Sequence, residues 1–246
     1  MAEQVELLLK SLKLPTFVRH YRTLLEEHAD VTPLAYLAQL CEYELADRYA
    51  RRVRNWTREA RLPPDKTFAS LEPDHLAPSA RPLVRQLMEN RDWWHRAENV
   101  ILVGASGVGK THLAAALGHQ LIELEVRCKL FPAIALVQEL QRAKQQLELM
   151  SYLSRLDKYR VIILDDIGYV RKTDSETQVL FEFIAHRYES GSLIITSNQP
   201  FSEWDAIFPD NVMTVAAIDR LIHHATIIKL EGGSYRQKQQ NSDTMK

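Results

Sequence analysis

The chain has 246 residues, 46% hydrophobic and 26% charged, with a net charge of −1. That length allows one domain of ordinary size plus a smaller one, and the near-zero balance excludes a chain that binds nucleic acid by bulk charge. Any basic surface has to come from local clustering.

The opening "MAEQVELLLKSLKLP" has an apolar run too short and too interrupted by charge for a signal peptide, and no stretch approaches a membrane span. A cytoplasmic protein is expected. Cys41 and Cys128 stand alone, without CxxC spacing or a His/Cys cluster. They read as two small buried apolar residues in a reducing compartment, not as a disulfide or a zinc site.

Residues 1 to about 60 carry helical periodicity. Leu34, Leu37, Ala38, Cys41 and Leu45 make one amphipathic stripe, and Thr32 followed by Pro33 suits an N-cap with proline at the first helical position. Downstream, Arg48, Arg51, Arg52, Arg54, Arg58 and Arg61 face only Glu59 within the segment 48–61. On a helix, Arg51, Arg54, Arg58 and Arg61 share a stripe, while Val53, Trp56 and Ala60 continue an apolar face. Such a stripe fits sequence-indifferent contact with nucleic-acid phosphates. It fits equally a solvated face whose charges pair with Glu42, Glu44 and Asp47 upstream.

"RLPPDKTFASLEPDHLAPSARP" brings five prolines and ends the helical leader. The expected organisation is a helical domain over 1–62, a linker over 63–98, an α/β domain over 99–234 and a fraying tail over 235–246. From residue 99, "NVILVG", "RCKLFPA", "RVIILDD", "SLIITSN" and "ATIIKL" read as short buried strands, most of them separated by helical patterns. That alternation predicts a parallel α/β sheet covered on both faces.

"GASGVGKT" at 104–111 fits the phosphate-loop pattern between a strand and a helix. Gly104, Gly107 and Gly109 let the backbone N–H groups turn toward phosphate oxygens, with Ala105, Ser106, Val108 and the following His112 completing the segment. Lys110 can reach the β and γ phosphates, and the Thr111 hydroxyl can ligate Mg²⁺. The strand "VIILDD" ends in Asp165, a candidate for the Mg²⁺ shell, and Asp166, a candidate general base for the attacking water. Asn198, at the tip of "LIITSNQP", either orients that water or belongs to a local turn. Trp93, Trp94 and Trp204 are expected to pack rather than stack on bases.

Together "GASGVGKTHLAAALG", "VIILDDIGY", "TSNQPFSEW" and "DRLIHHATIIKLEGGSYR" resemble the IstB-type AAA+ ATPases, helpers of insertion-sequence transposition related to the helicase loader DnaC. The resemblance runs over nearly the whole chain. It implies an AAA+ P-loop core behind a small all-helical domain, and ATP with Mg²⁺ as ligands; the helical lid typical of AAA+ proteins is not expected in full, since only about 25 residues follow Arg220. It also implies a homo-oligomeric ring or filament on duplex DNA and a cognate transposase as partner. Asn198 then corresponds to a sensor residue and Arg220 to an arginine finger acting in trans on a neighbour's phosphate. Read without the resemblance, Arg220 pairs with Asp219 or another local carboxylate.

Arg236 is a further candidate near the nucleotide, and Phe68 a candidate near the adenine. Arg142 and Lys144, with Arg171 and Lys172, join the arginine stripe as possible DNA contacts. Two other functions remain open at this level: a DnaC-like loader of a replicative helicase, and a small-molecule kinase, which would need an acceptor-binding lid.

Overall fold

The computed structural model describes residues 2–27, 32–71, 76–90, 92–168, 173–200, 203–204 and 211–231. The chain divides into two compact units, Met1–Asn55 and Trp56–Lys246, and the division falls inside a single helix. It lies upstream of residue 62, so the end of the arginine-rich helix and the proline-rich stretch group with the α/β unit.

The first unit holds α1 (Ala2–Ser11), α2 (Pro15–Glu27) and most of α3 (Pro33–Ala60). Helix α3 starts as its sequence predicts, with the Thr32 hydroxyl accepting the Ala35 N–H at 3.3 Å and Pro33 where no N–H is needed. Phe17, Tyr21 and Leu24 of α2 meet Leu40 of α3, with Leu9, Leu14 and Tyr36 around them. Glu44 is buried beside this core, accepting the Thr16 N–H at 3.0 Å and Arg48 Nε at 2.8 Å. Burial alone would raise its pKa, but the bonds from Arg48 and Thr16 outweigh it and hold the carboxyl below its ordinary value.

The apolar stripe of α3 does not face that core. Leu34, Leu37 and Leu45 are 79%, 50% and 66% exposed, and Ala38 and Cys41 are exposed with them. The spacing does describe one helix face. The unit instead packs α3 through Tyr36, Leu40 and Glu44, roughly a third of a turn away. The expectation of a buried Cys41 is corrected accordingly. Cys128 is buried as expected, and burial pushes its thiol up to about 12.

The second unit continues with α4 (Ala80–Glu89), β1 (Asn99–Val103), α5 (Lys110–Glu123), β2 (Cys128–Pro132), α6 (Ala133–Gln145), α7 (Leu149–Leu156) and β3 (Val161–Asp165). It ends with α8 (Asp174–Arg187), β4 (Ser192–Ser197), α9 (Asn211–Ile222) and β5 (Ala225–Lys229). The five strands predicted from the apolar runs form one parallel sheet in the order β2-β3-β4-β1-β5. Strands β1 and β4 are buried along their whole length, as central parallel strands must be.

Alternation along the strands divides the core. Ile101, Val103, Ile162, Leu164, Leu193 and Ile195 pack with residues of α6, α7, α8 and α9. Val100 and Leu102 point to the other face, where α5 crosses the sheet. Trp93, Trp94 and Trp204 are all buried, the first two edge to face at 5.5 Å, so packing is their role.

Candidate active site

In an open parallel sheet, ligands bind beyond the carboxyl ends of the strands, where the chain order reverses. The segment 104–111 leaves β1 at such a point, between β4 and β5. The Gly104 N–H donates to the Ser197 carbonyl at 3.2 Å, and the Leu230 N–H to the Val103 carbonyl at 2.8 Å. A Cβ on Gly104 would sit 2.2 Å from the Leu230 oxygen, so this exit admits only glycine. Gly109 has room for a side chain, but its φ of 97° is a conformation that other residues adopt only with strain. From it α5 starts, with the Leu113 N–H donating to the Gly109 carbonyl at 2.9 Å.

Lys110 is buried, and its ammonium donates to the carbonyls of Gly104 and Ala105 at 2.8 Å each. The charge is thus held inside the loop that the phosphate pattern predicts for it. Next to it, the Thr111 hydroxyl donates to Asp165 Oδ1 at 2.9 Å. The two residues assigned to Mg²⁺ are 54 positions apart in sequence and meet here. One hydroxyl and one carboxylate at the foot of a phosphate loop are hard oxygen donors of the kind Mg²⁺ takes, so the residues present fit the ion.

Thr196 was not singled out by its sequence. Its hydroxyl donates to Asp165 Oδ1 at 2.7 Å and accepts the Asp166 N–H at 2.8 Å, while its carbonyl accepts the Ile167 N–H at 3.0 Å. These bonds hold Asp166 at a φ of 63°, a left-handed conformation that is uncommon outside glycine. The available signal was a β-branched hydroxyl one residue before the end of an otherwise apolar strand.

Asn198 is exposed just past Ser197, which places it at the strand edge beside Gly104. A Cβ on Gly168 would lie 3.0 Å from the Asn198 side-chain oxygen, so glycine there lets the turn after Asp166 approach the tip of β4 closely.

Arg220 lies elsewhere. It borders one small recess with Ala97, Asn99, Gly191, Leu193 and His224, residues at or just before the amino ends of β1, β4 and β5. The phosphate loop is at the opposite edge, the length of a five-residue strand or ~17 Å away. The guanidinium sits 5.2 Å from the Phe181 ring centroid and donates to the Ala216 carbonyl at 3.1 Å. It makes no ion pair with Asp219, or with any other carboxylate among the described residues.

Two histidines with no partner pattern in the sequence acquire one here. His112 Nε2 lies 3.0 Å from the Thr67 carbonyl and 3.2 Å from Ser70 Oγ, and His119 Nε2 lies 3.0 Å from the Pro63 carbonyl. Two turns apart on one face of α5, they tie the proline-rich stretch along the helix and keep Phe68 near its amino end.

The candidate DNA residues separate into groups. Arg48 pairs with Glu44 at 2.8 Å, Arg51 lies 3.6 Å from Glu44 and 3.7 Å from Asp47, and Lys144 pairs with Glu182 at 2.7 Å. Arg48 and Arg51 thus meet two of the upstream carboxylates, while Lys144 meets an acid on α8. Arg52, Arg54, Arg58 and Arg142 are exposed. Arg171, Lys172 and Arg236 lie outside the described residues.

Known proteins add family context to this geometry. A family model described as IstB-like ATP binding protein matches residues 7–243. An insertion sequence ATP-binding protein of Sinorhizobium fredii is 42% identical over 238 residues, covering 94% of this chain and 78% of its own. The corresponding IS21 protein of Pseudomonas aeruginosa is 37% identical over 238 residues, covering 96% and 89%. Among solved structures, the helicase loader DnaC superposes with a TM-score of 0.50 at 20% identity, over 62% of this chain and 89% of that one. DnaI superposes at 0.58 and 20% identity, over 70% and 95%, and these two likenesses speak to the fold.

Proposed function

The chain belongs to the IstB-like ATP binding proteins, and from that premise we propose that it is an Mg²⁺-dependent ATPase that assembles on duplex DNA and assists a transposase in insertion-sequence transposition. The observation that carries the ATPase reading is the meeting of Thr111 and Asp165 beside a lysine held within the loop. The N–H groups of 104–111 and the Lys110 ammonium cradle the β and γ phosphates. Thr111 and Asp165 hold Mg²⁺, which when bound neutralises charge building on the phosphate oxygens. Asp166 takes the proton of the attacking water, aimed by its clamped backbone, and Asn198 orients that water from the next strand tip.

Arg220 acts in trans. Its place at the far edge of the sheet cannot serve the phosphate bound by its own subunit, but suits a neighbour's. Hydrolysis is then tied to assembly and stimulated by DNA. The uncovered apolar stripe of α3 supports self-association through the helical unit, since exposed apolar patches of this kind mark interaction surfaces.

Electron microscopy and ATP turnover with long duplex DNA test the reading. The expected result is ATP-dependent rings or filaments and DNA-stimulated hydrolysis. Arg220→Ala is expected to keep ATP binding and lose the assembly-dependent turnover, a drop on the order of 10³-fold. A protein that stays monomeric with both ligands overturns the proposal, and unchanged stimulated turnover in Arg220→Ala makes that arginine structural.

A further inference from the structure

A second basic surface lies in the α/β unit, at the edge of the sheet formed by β2. Its floor is the buried ring of Tyr159, just ahead of β3. Three cations crowd that ring: the Lys158 ammonium at 4.8 Å from its centroid, Lys129 at 5.4 Å and the Arg127 guanidinium at 5.6 Å. Lys129 also lies 4.8 Å from the centroid of Phe131, and Arg127 5.9 Å from that of Trp56.

The carboxylates nearby do not balance this charge. Glu59 accepts Arg127 at 2.5 Å, Lys158 at 2.8 Å and the Tyr159 hydroxyl at 2.8 Å, so one acid serves two cations. Glu139 accepts the Tyr152 hydroxyl but keeps its charge beside Lys129, so with Glu59 it makes two acids against Arg61, Arg127, Lys129 and Lys158. Lys129 and the exposed Arg61 make no ion pair among the described residues. Lys129 is partly buried, and burial followed by the charges of Arg61 and Lys158 holds its pKa below the ordinary lysine value. Aromatic faces attract cations, but gathering several like charges at one ring is unfavourable until an anion with more than one charge arrives. Phosphates along a duplex supply such an array.

We propose that Arg61, Arg127, Lys129 and Lys158 form a cradle for the backbone phosphates of duplex DNA at the β2 edge. The inference rests on the duplex-DNA reading above and gives that reading a location outside the α3 arginine stripe's paired members. The contact is sequence-indifferent, because it touches phosphate alone.

The test is duplex affinity across a salt series for the full chain and two variants. Lys129→Met keeps the apolar stem over Phe131. Arg61→Gly suits a residue whose φ is 56°. Each variant is expected to weaken binding and to lower the slope of log affinity against log salt by about 1, with DNA-free ATP hydrolysis unchanged. Slopes equal to wild type in both variants, with wild-type binding intact, overturn the cradle and leave the DNA reading standing. A wild-type protein that binds no duplex overturns both. Unchanged duplex binding with loss of binding to an acidic protein partner overturns the cradle and assigns this surface to protein.

Discussion

The two units treat apolar sequence in opposite ways. In the α/β unit every apolar run that reads as a strand enters one sheet, and β1 and β4 are buried throughout. In the helical unit the clearest apolar stripe, Leu34 to Leu45 on α3, stays in solvent, while a carboxylate, Glu44, is buried. Size explains the contrast. A parallel sheet with helices from the same chain on both faces covers its own strands. Three helices within 55 residues cannot cover α3 on two sides, and below about 60 residues a unit is marginal on its own. Apolar periodicity therefore reports a face that seeks cover, without saying whether this chain supplies it.

Apart from the assembly-dependent turnover that rests on Arg220, the largest expected effect belongs to the self-contained unit. Lys110→Ala removes the charge held by the Gly104 and Ala105 carbonyls and is expected to reduce ATP hydrolysis by about 10²-fold or more, with ATP affinity falling alongside. Steady-state turnover with nucleotide-binding titration checks it, and activity near wild type would place the chemistry elsewhere. The next effect tests the helical unit directly. Leu40→Ala, at a site 3% exposed, is expected to cost about 2–5 kcal/mol of that unit's stability. Leu45→Ala, at 66% exposure, is expected to stay within about 0.5 kcal/mol in the dilute, unassembled protein. Equal losses in thermal unfolding would break the contrast by showing that the stripe is covered after all.

How far the sequence was legible follows the same division. The strands, the phosphate loop and the meeting of Thr111 with Asp165 were readable because each depends on local pattern and on the geometry of a strand–loop–helix unit. Thr196 was not, since its role exists only once β4 lies beside β3 and brings its hydroxyl to Asp165 and the Asp166 N–H. The α3 face was misread because periodicity cannot rank two adjacent faces when the competing one is closed by a buried, fully bonded Glu44. His112 and His119 looked unassigned because their partners are backbone carbonyls, which no side-chain pattern reveals.

A smaller effect than that of Leu40→Ala concerns the part of α3 that groups with the α/β unit. Glu59 there plays the role that Glu44 plays in the helical unit, with Arg127, Lys158 and Tyr159 as its donors. Burial alone would raise its pKa, but the hydrogen bonds from Lys158, Arg127 and Tyr159 outweigh it and lower the carboxyl from 4.5 to about 2. A depressed folded pKa means that the stabilisation is complete above the unfolded value of 4.5 and is lost as pH falls toward 2. The shift corresponds to about 3 kcal/mol, which partial exposure reduces to roughly 1–2 kcal/mol. Glu59→Gln is therefore expected to be less stable than wild type at pH 7, with the gap closing between pH 4.5 and 2 in denaturant titrations of the α/β transition. A gap that stays constant across that window would mean that shape and hydrogen bonding, not the ionised carboxylate, hold the end of α3 in place.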